Sequence, residues 1–357
     1  MRRDENETPA YQTQVINVER QSEAGTIQAA KLIQNGEIVA FPTETVYGLG
    51  ANGLSGEAVA KIFAAKGRPA DNPLIEHVAK KSDVRRLWMR TPKFAQILMD
   101  TFWPGPLTLI AQKSECVPDE VTAGLNTVAV RMPLNKTARA LISKAGVPIA
   151  APSANRSGRP SPTTAQHVLD DMDGRIPLIL DGGPCKYGVE STVLTLVGAP
   201  TILRPGAITR EMLEAVIGEV RVANSILHPM KDGEIAASPG MKYKHYAPNA
   251  EVVVVNGEPE NVARVINALY RQAEAEGVEC EIAATEQTRH FYNGMQYTVL
   301  GDRNEPGTLC ANLFTALREM DKRAERIYAE GIPADQEGLA YMNRLLRAAG
   351  FKMIEAE

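Results

Sequence analysis

The sequence predicts an α/β protein of two domains, a larger one built on a twisted sheet and a smaller, Rossmann-like one after it. Three observations predict this. Short apolar runs of strand length recur between Glu37 and Leu203, separated in places by helical patterns and elsewhere by Pro/Gly loops. Periodicity weakens between Ala223 and Asn249, where "HPMKDGEIAASPGMKYKHYAPNA" carries His, Pro, Gly, Lys and Tyr in no regular spacing. Beyond it, strand and helix patterns alternate to the end of the sequence, as βαβ units do.

Taken in order, residues 1–22 read as a polar arm. "MRRDENETPAYQ" is charged and has no apolar stretch behind it, so it resembles neither a signal peptide nor a transit peptide. A first domain is expected over 23–209. Thr26–Gln34 has a helical pattern that stops at Gly36, a strand follows at Glu37–Phe41, and Val59, Ile62 and Phe63 mark a helix over Glu57–Ala65. Further strands are expected at Leu107–Gln112, Thr127–Arg131, Pro148–Ala151, Pro177–Leu180, Ser191–Leu196 and Pro200–Leu203. Residues 210–249 are expected to be an ordered linker, and 250–357 the second domain. There "EVVVV" is a buried strand at Glu251–Val255, and Val262, Val265, Ile266 and Leu269 line one helix face. Short strands follow at Glu281–Ala284 and Tyr297–Leu300. Leu309, Leu313, Ala316, Leu317 and Met320 line a second helix, and Leu339–Ala349 forms a third.

Composition narrows the function. The 357 residues are 44% hydrophobic and 23% charged, typical of a soluble globular protein. No apolar run approaches the roughly 20 residues a membrane helix needs. Cys116, Cys185, Cys280 and Cys310 form no CxxC pair, which argues against a zinc site or disulfide framework and for a reducing cytoplasm. A net charge of −4 excludes a globally basic nucleic-acid binder but not a local basic patch.

Polar islands at strand ends carry the chemistry. "PTETVYGLG" (42–50) interrupts an apolar strand. Its Gly48, Gly50 and Gly53 imitate a GxGxxG fingerprint, with Asp71 beyond it. That motif needs its first Gly directly at a strand end, and here Pro42 and "TETVY" intervene, so glycines in a tight loop are the better reading. "KGRPADNPLIEH" (66–77) places Lys66 and Arg68 at a helix C-terminus, where the dipole alone favours cations. The stiff Arg-Pro and Asn-Pro steps suit phosphate binding as well. In "NTVAVRMP", alternation puts Thr127, Ala129 and Arg131 on one face. "APSANRSGRPSPT" (151–163) offers hydroxyls and backbone amides for an anion nest. "GVESTV" and "LRPG" add Glu190, Ser191, Thr192 and Arg204. Each island also has a bland reading as a solvated loop. Together they place four cations among many hydroxyls and fit a nucleoside triphosphate, with Mg²⁺ carried by the phosphates. The pattern favours catalysis by positioning and electrostatics over a covalent nucleophile.

In this order, "FPTETVYGLG", "KGRP..NPL..H", "PGPLT", "VAVRMP", "APSAN.SG.PSPT", "G.ESTV" and "LRPG" resemble the YrdC/Sua5 family of threonylcarbamoyl-AMP synthases. "SPGMKYKHYAP" and the α/β unit after it resemble the linker and C-terminal domain of the long, Sua5 form. The resemblance implies a YrdC-like twisted mixed sheet with a concave cavity, plus a smaller Rossmann-like Sua5 domain. It implies that L-threonine, bicarbonate and ATP give L-threonylcarbamoyl-AMP and pyrophosphate, for N6-threonylcarbamoylation of adenosine 37 in tRNAs reading ANN codons. Thr45, His77, Arg131, Ala151 and Ser191 match threonine-binding positions, Ala151 with backbone groups only. Lys66, Arg68, Asn72, Thr127, Ser153, Ser161, Arg204 and, in the linker, Tyr243 match ATP-binding positions, with Lys66 and Arg68 stabilising developing charge. Glu76 stands where the family more often has an apolar residue, which leaves the protonation of His77 open. The partners implied are ATP, threonine, bicarbonate, a tRNA or double-stranded RNA contact, and the transferase that takes the product. The rival functions are a double-stranded RNA-binding module, a hydrogenase maturation protein (against which the lack of CxxC pairs argues) and a dinucleotide-dependent oxidoreductase.

Overall fold

The computed structural model describes residues 10–229 and 246–357. Eleven strands form a first sheet. In chain order they are β1 (Gln14–Asn17), β2 (Val39–Phe41), β3 (Gly48–Asn52), β4 (Ile75–His77), β5 (Leu107–Gln112), β6 (Thr127–Arg131), β7 (Ile149–Ala150), β8 (Leu178–Asp181), β9 (Thr192–Thr195), β10 (Thr201–Arg204) and β11 (Arg221–Val222). They lie in the order β1-β8-β2-β3-β7-β4-β6-β5-β9-β10-β11, with parallel and antiparallel neighbours mixed.

The period of two sorts the side chains of the central strands. Leu109, Val128, Val130 and Leu194 point into the largest core, with Val59, Ile62 and Phe63 of the helix Gly56–Lys66. Ile75, Ile110, Ala129 and Val193 form a small apolar patch on the other face. On that second face β4 and β6 also present His77 and Arg131, which are register partners. At the β1 end, the helices Ser22–Gln34 and Lys136–Ala145 pack on each other and bury Ile33, Leu141 and Ile142 against Val39 and Phe41.

The second sheet is all parallel: β12 (Glu251–Gly257), β13 (Cys280–Thr285), β14 (Tyr297–Gly301), β15 (Arg326–Glu330) and β16 (Met353–Ala356), in the order β14-β13-β15-β12-β16. Both faces are covered, as a parallel sheet requires. The helix Pro259–Ala275 buries Val262 and Ile266 against Val255 and Ile282. Pro306–Met320 and Gly338–Ala348 bury Leu313, Leu317 and Leu345 against Val252, Val254 and Ala329. This is the mixed sheet plus Rossmann-like unit that the sequence predicts.

Four segments depart from expectation. Residues 210–222, expected to begin the linker, belong to the first domain: the helix Arg210–Ile217 buries Leu213 in the largest core, and β11 pairs in parallel with β10. The polar arm contains β1, an edge strand paired in parallel with β8; only Ile16 of its four residues is buried, so it carries no alternating signal. Gly48–Asn52, read as a loop, is a strand antiparallel to β2. Its glycines serve packing, because a Cβ on Gly50 would lie 2.6 Å from Ile149 and 2.8 Å from the Phe41 ring. Ile75–His77, hidden in a polar island, is an inner strand between β7 and β6.

The two sheets share buried polar contacts. Arg344, on the helix Gly338–Ala348, reaches Glu190 at 2.8 Å, and Arg318, on Pro306–Met320, reaches Asp171 at 2.6 Å. Val46 and Val189, from loops of the first domain, pack in the core of the second.

Candidate active site

The polar face of the first sheet forms one wall of a cavity whose empty space, with the solvent at its open mouth included, is about 740 Å³. Arg131 ends β6 there, 3% exposed. Its Nε donates to Gly105 O (3.2 Å), one terminal nitrogen to Thr45 Oγ1 (2.9 Å) and the other to Glu44 Oε1 (2.5 Å). Burial works against the Glu44 charge, but the Arg131 guanidinium and backbone donors outweigh it and hold the carboxyl below its usual value. Thr43 accepts from the N–H groups of Thr45 and Val46 and so closes the loop on itself. Thr43 therefore both lines the cavity and braces its wall, while Glu44 sits behind and orients Arg131.

His77 faces Arg131 across the register, and its Nδ1 lies 3.0 Å from Ile75 O and 3.3 Å from Ile149 O. Two carbonyls at one nitrogen place the proton on Nδ1 and leave Nε2 as the acceptor. Burial, and then the neighbouring Arg131, push its pKa down to about 3, so the ring is neutral. Glu76 points to the opposite face. Neither of its carboxyl oxygens has a hydrogen-bond partner among the described residues, and they lie about where a Cβ on Gly53 would stand. Burial raises Glu76 to about 8, so it is a neutral acid under ordinary conditions and leaves His77 undisturbed.

The other end of the cavity is cationic. The helix Gly56–Lys66 is capped by Ser55 and closed by Gly67 at φ +60°, a turn that sends Arg68 away from the helix axis. Lys66 Nζ donates to the carbonyls of Ser153 and Asn155, both at 2.5 Å, and staples the 151–159 loop. Burial pushes its ammonium well down from the usual range. Arg68 donates to Asn72 O (3.0 Å), and Arg204 to the carbonyl and hydroxyl of Ser191 (3.0 and 3.1 Å). Ser161 donates to Glu190 Oε1 at 2.5 Å.

Thr45, Lys66, Arg68, His77, Arg131, Ala151, Ser153, Ser191 and Arg204 thus meet in one cavity. The Ala151 N–H is engaged by Ile75 O. Three expected residues do not line it. Ser161 stands one hydrogen bond behind, through Glu190. Asn72 touches Arg68 through its carbonyl, and its buried side-chain amide has no hydrogen-bond partner among the described residues. Thr127 starts β6, opposite Gln112, roughly 13 Å along the strand from Arg131. Tyr243 lies outside the described residues. The reading by sequence passed over Tyr246, three residues on, which lines the cavity with φ +65°. Its ring stacks 5.1 Å from Phe314, and Arg344 lies 5.8 Å from its centroid. Glu190, Asn155 and Arg159 stand inside the quoted islands without a binding role assigned by the sequence, and all three line the cavity.

A mixed α/β sheet whose polar face lines one cavity of hydroxyls, cations and a neutral histidine, with Arg344 of the second domain bonded to Glu190 of its lining, defines the candidate site. Comparison with known proteins names the class. Residues 31–206 match the family profile described as "Telomere recombination" (Sua5, YciO and YrdC), and 208–350 match "Threonylcarbamoyl-AMP synthase, C-terminal domain". The chain is 48% identical over 346 residues to the threonylcarbamoyl-AMP synthase of Pyrococcus abyssi, covering 96% of this chain and 99% of the relative. It is 48% identical to that of Bacillus subtilis, covering 92% and 93%. The crystal structure of P. abyssi Sua5 complexed with L-threonine superposes with a TM-score of 0.89 at 45% identity, over 97% of this chain and 99% of that one. The chain belongs to the two-domain Sua5 family of threonylcarbamoyl-AMP synthases. The double-stranded RNA-binding reading is not favoured. Among the described residues no helix is long and apolar enough to cross a membrane.

Proposed function

We infer that this chain condenses L-threonine, bicarbonate and ATP to L-threonylcarbamoyl-AMP and pyrophosphate. The observation that carries this is the convergence of Thr45, His77, Arg131 and Ser191 with Lys66, Arg68 and Arg204 on one cavity. A relative of 45% identity and the same fold has been crystallised with L-threonine, which supports the amino-acid assignment. Arg131, its fork held by Glu44 and Thr45, suits the threonine carboxylate. Neutral His77 offers an acceptor for the substrate's amine or hydroxyl. Asn72, Ser153, Ser161 and Thr127 are assigned to ATP by the family pattern alone. Mg²⁺ enters as the counter-ion of the triphosphate; among the described residues no group of three or more His, Cys, Asp or Glu converges to hold a metal.

The threonine amine and bicarbonate form a carbamate with loss of water; the carbamate oxygen attacks the α-phosphorus, and pyrophosphate leaves. The chain holds the labile carbamate in line and away from water, while buried cations meet the charge that develops on phosphate. The product then passes to a tRNA threonylcarbamoyl transferase for adenosine 37. Pyrophosphate release from ATP is expected to depend on both threonine and bicarbonate, and release independent of threonine would overturn the assignment.

A further inference from the structure

Glu190 is the one carboxylate among the described residues that lines the cavity, and Lys66 and Arg204 of the same lining feel its charge. An unneutralised carboxylate there would repel phosphate. It would also attract the two cations whose charge it already feels, Lys66 and Arg204. What prevents this comes from the other domain. Arg344, fully buried, donates from Nε to Glu190 Oε2 (2.8 Å) and from a terminal nitrogen to Glu190 O (3.2 Å). Its second terminal nitrogen is fixed by Pro205 O and Asn343 Oδ1, at 2.9 and 2.8 Å. The remaining Glu190 oxygen accepts from Ser161. Both oxygens are thereby engaged by donors other than Lys66, which donates to the carbonyls of Ser153 and Asn155.

We propose that Arg344 is a positioning residue of the synthase: from the second domain it neutralises and orients Glu190, and so keeps the field at the Lys66 side of the cavity positive for the triphosphate. The second domain then completes the ATP end of the cavity electrostatically and does more than cover it. This rests on the assignment of that end to ATP.

The test is a double-mutant cycle in the full-length enzyme, with KM for ATP, KM for threonine, kcat and Tm measured for each variant. Arg344→Met is expected to raise KM for ATP ~10-fold, as a coupled buried charge pair does when one partner is lost, with KM for threonine within about 2-fold. Adding Glu190→Gln to Arg344→Met is expected to return KM for ATP to within about 2-fold of native, because no uncompensated charge remains. Arg344→Lys should retain most of the ATP affinity. A native KM for ATP in folded Arg344→Met, or a double variant no better than the single, overturns the proposal. Should Arg344→Met not fold, a folded double variant with near-native KM for ATP supports it. A double variant that also fails to fold shows that Arg344 acts through packing and overturns it. Threonine-dependent pyrophosphate release by the native enzyme is the reference. Its absence refutes the synthase assignment, whereas its presence with an unresponsive Arg344→Met refutes only this inference.

Discussion

Glu76 and His77 are adjacent in sequence, face opposite sides of one strand, and are both buried in neutral form. The Glu76 carboxyl, raised to about 8 from 4.5, holds its proton in the folded state where the unfolded chain has lost it. The folded state therefore binds more protons between those values, and its stability is full below pH 4.5 and declines as pH rises towards 8. Glu76→Gln removes that decline. The variant should match the native protein near pH 4.5 and gain on it by about 1.4 kcal/mol per pH unit above that, reaching a few kcal/mol by pH 8. Denaturant unfolding at several pH values measures this, and a pH-independent difference would contradict it. His77 has the opposite sign. Lowered to about 3 from 6.5, it contributes stability above pH 6.5 that is lost as pH falls towards 3. At the amino-acid end, Thr45→Ala should raise KM for threonine up to ~10-fold, the worth of one hydrogen bond, and leave KM for ATP nearly unchanged. Equal losses in both would mean that the stretch around Thr45 is structural. Thr45, Arg131 and His77 were legible through the resemblance of their islands to family motifs, and all three line the cavity. The sequence did not show which face Glu76 takes, because that depends on β4 being a strand.

At the scale of elements, strands with apolar side chains were legible and strands defined by their neighbours were not. β5 and β6 have the expected limits, Leu107–Gln112 and Thr127–Arg131, since their alternation is strong. β3 was read as a loop because "GLGAN" carries little apolar bulk; the bulk is supplied by Phe41 and Ile149, whose side chains occupy the space a Cβ would need. Only the tertiary pairing reveals that. Gly50→Ala should accordingly destabilise the protein by about 1–3 kcal/mol through overpacking. A fall in the denaturant midpoint at constant m-value would show this, and an unchanged midpoint would mean that Phe41 yields without cost. β4 was missed for a related reason. A strand of three residues bearing a glutamate and a histidine has no signature apart from the neighbours β6 and β7 that bury it.

At the scale of the molecule, the two-part architecture was readable from the change in periodicity, but the manner of joining was not. Nothing local marks Arg344 as a partner of Glu190, 154 residues away, or Arg318 as a partner of Asp171. Buried ion pairs across a domain boundary are a poor source of net stability yet costly to break singly, so they fix one relative placement of the two halves. Val46 and Val189 extend this from charge to packing. Each belongs by sequence to the catalytic half and by burial to the core of the other. The loops carrying Thr45 and Ser191 are therefore clamped, within two residues, by the hydrophobic cluster of the second domain. In hydrogen-exchange terms, the backbone amides of Val46 and Tyr47, bonded to Thr43 and to Pro162 O, should open with the protection of the second core. A core substitution such as Leu313→Ala, far along the chain, should then speed exchange at Val46 and Tyr47 while leaving the amides of β5 and β6 at their native rates.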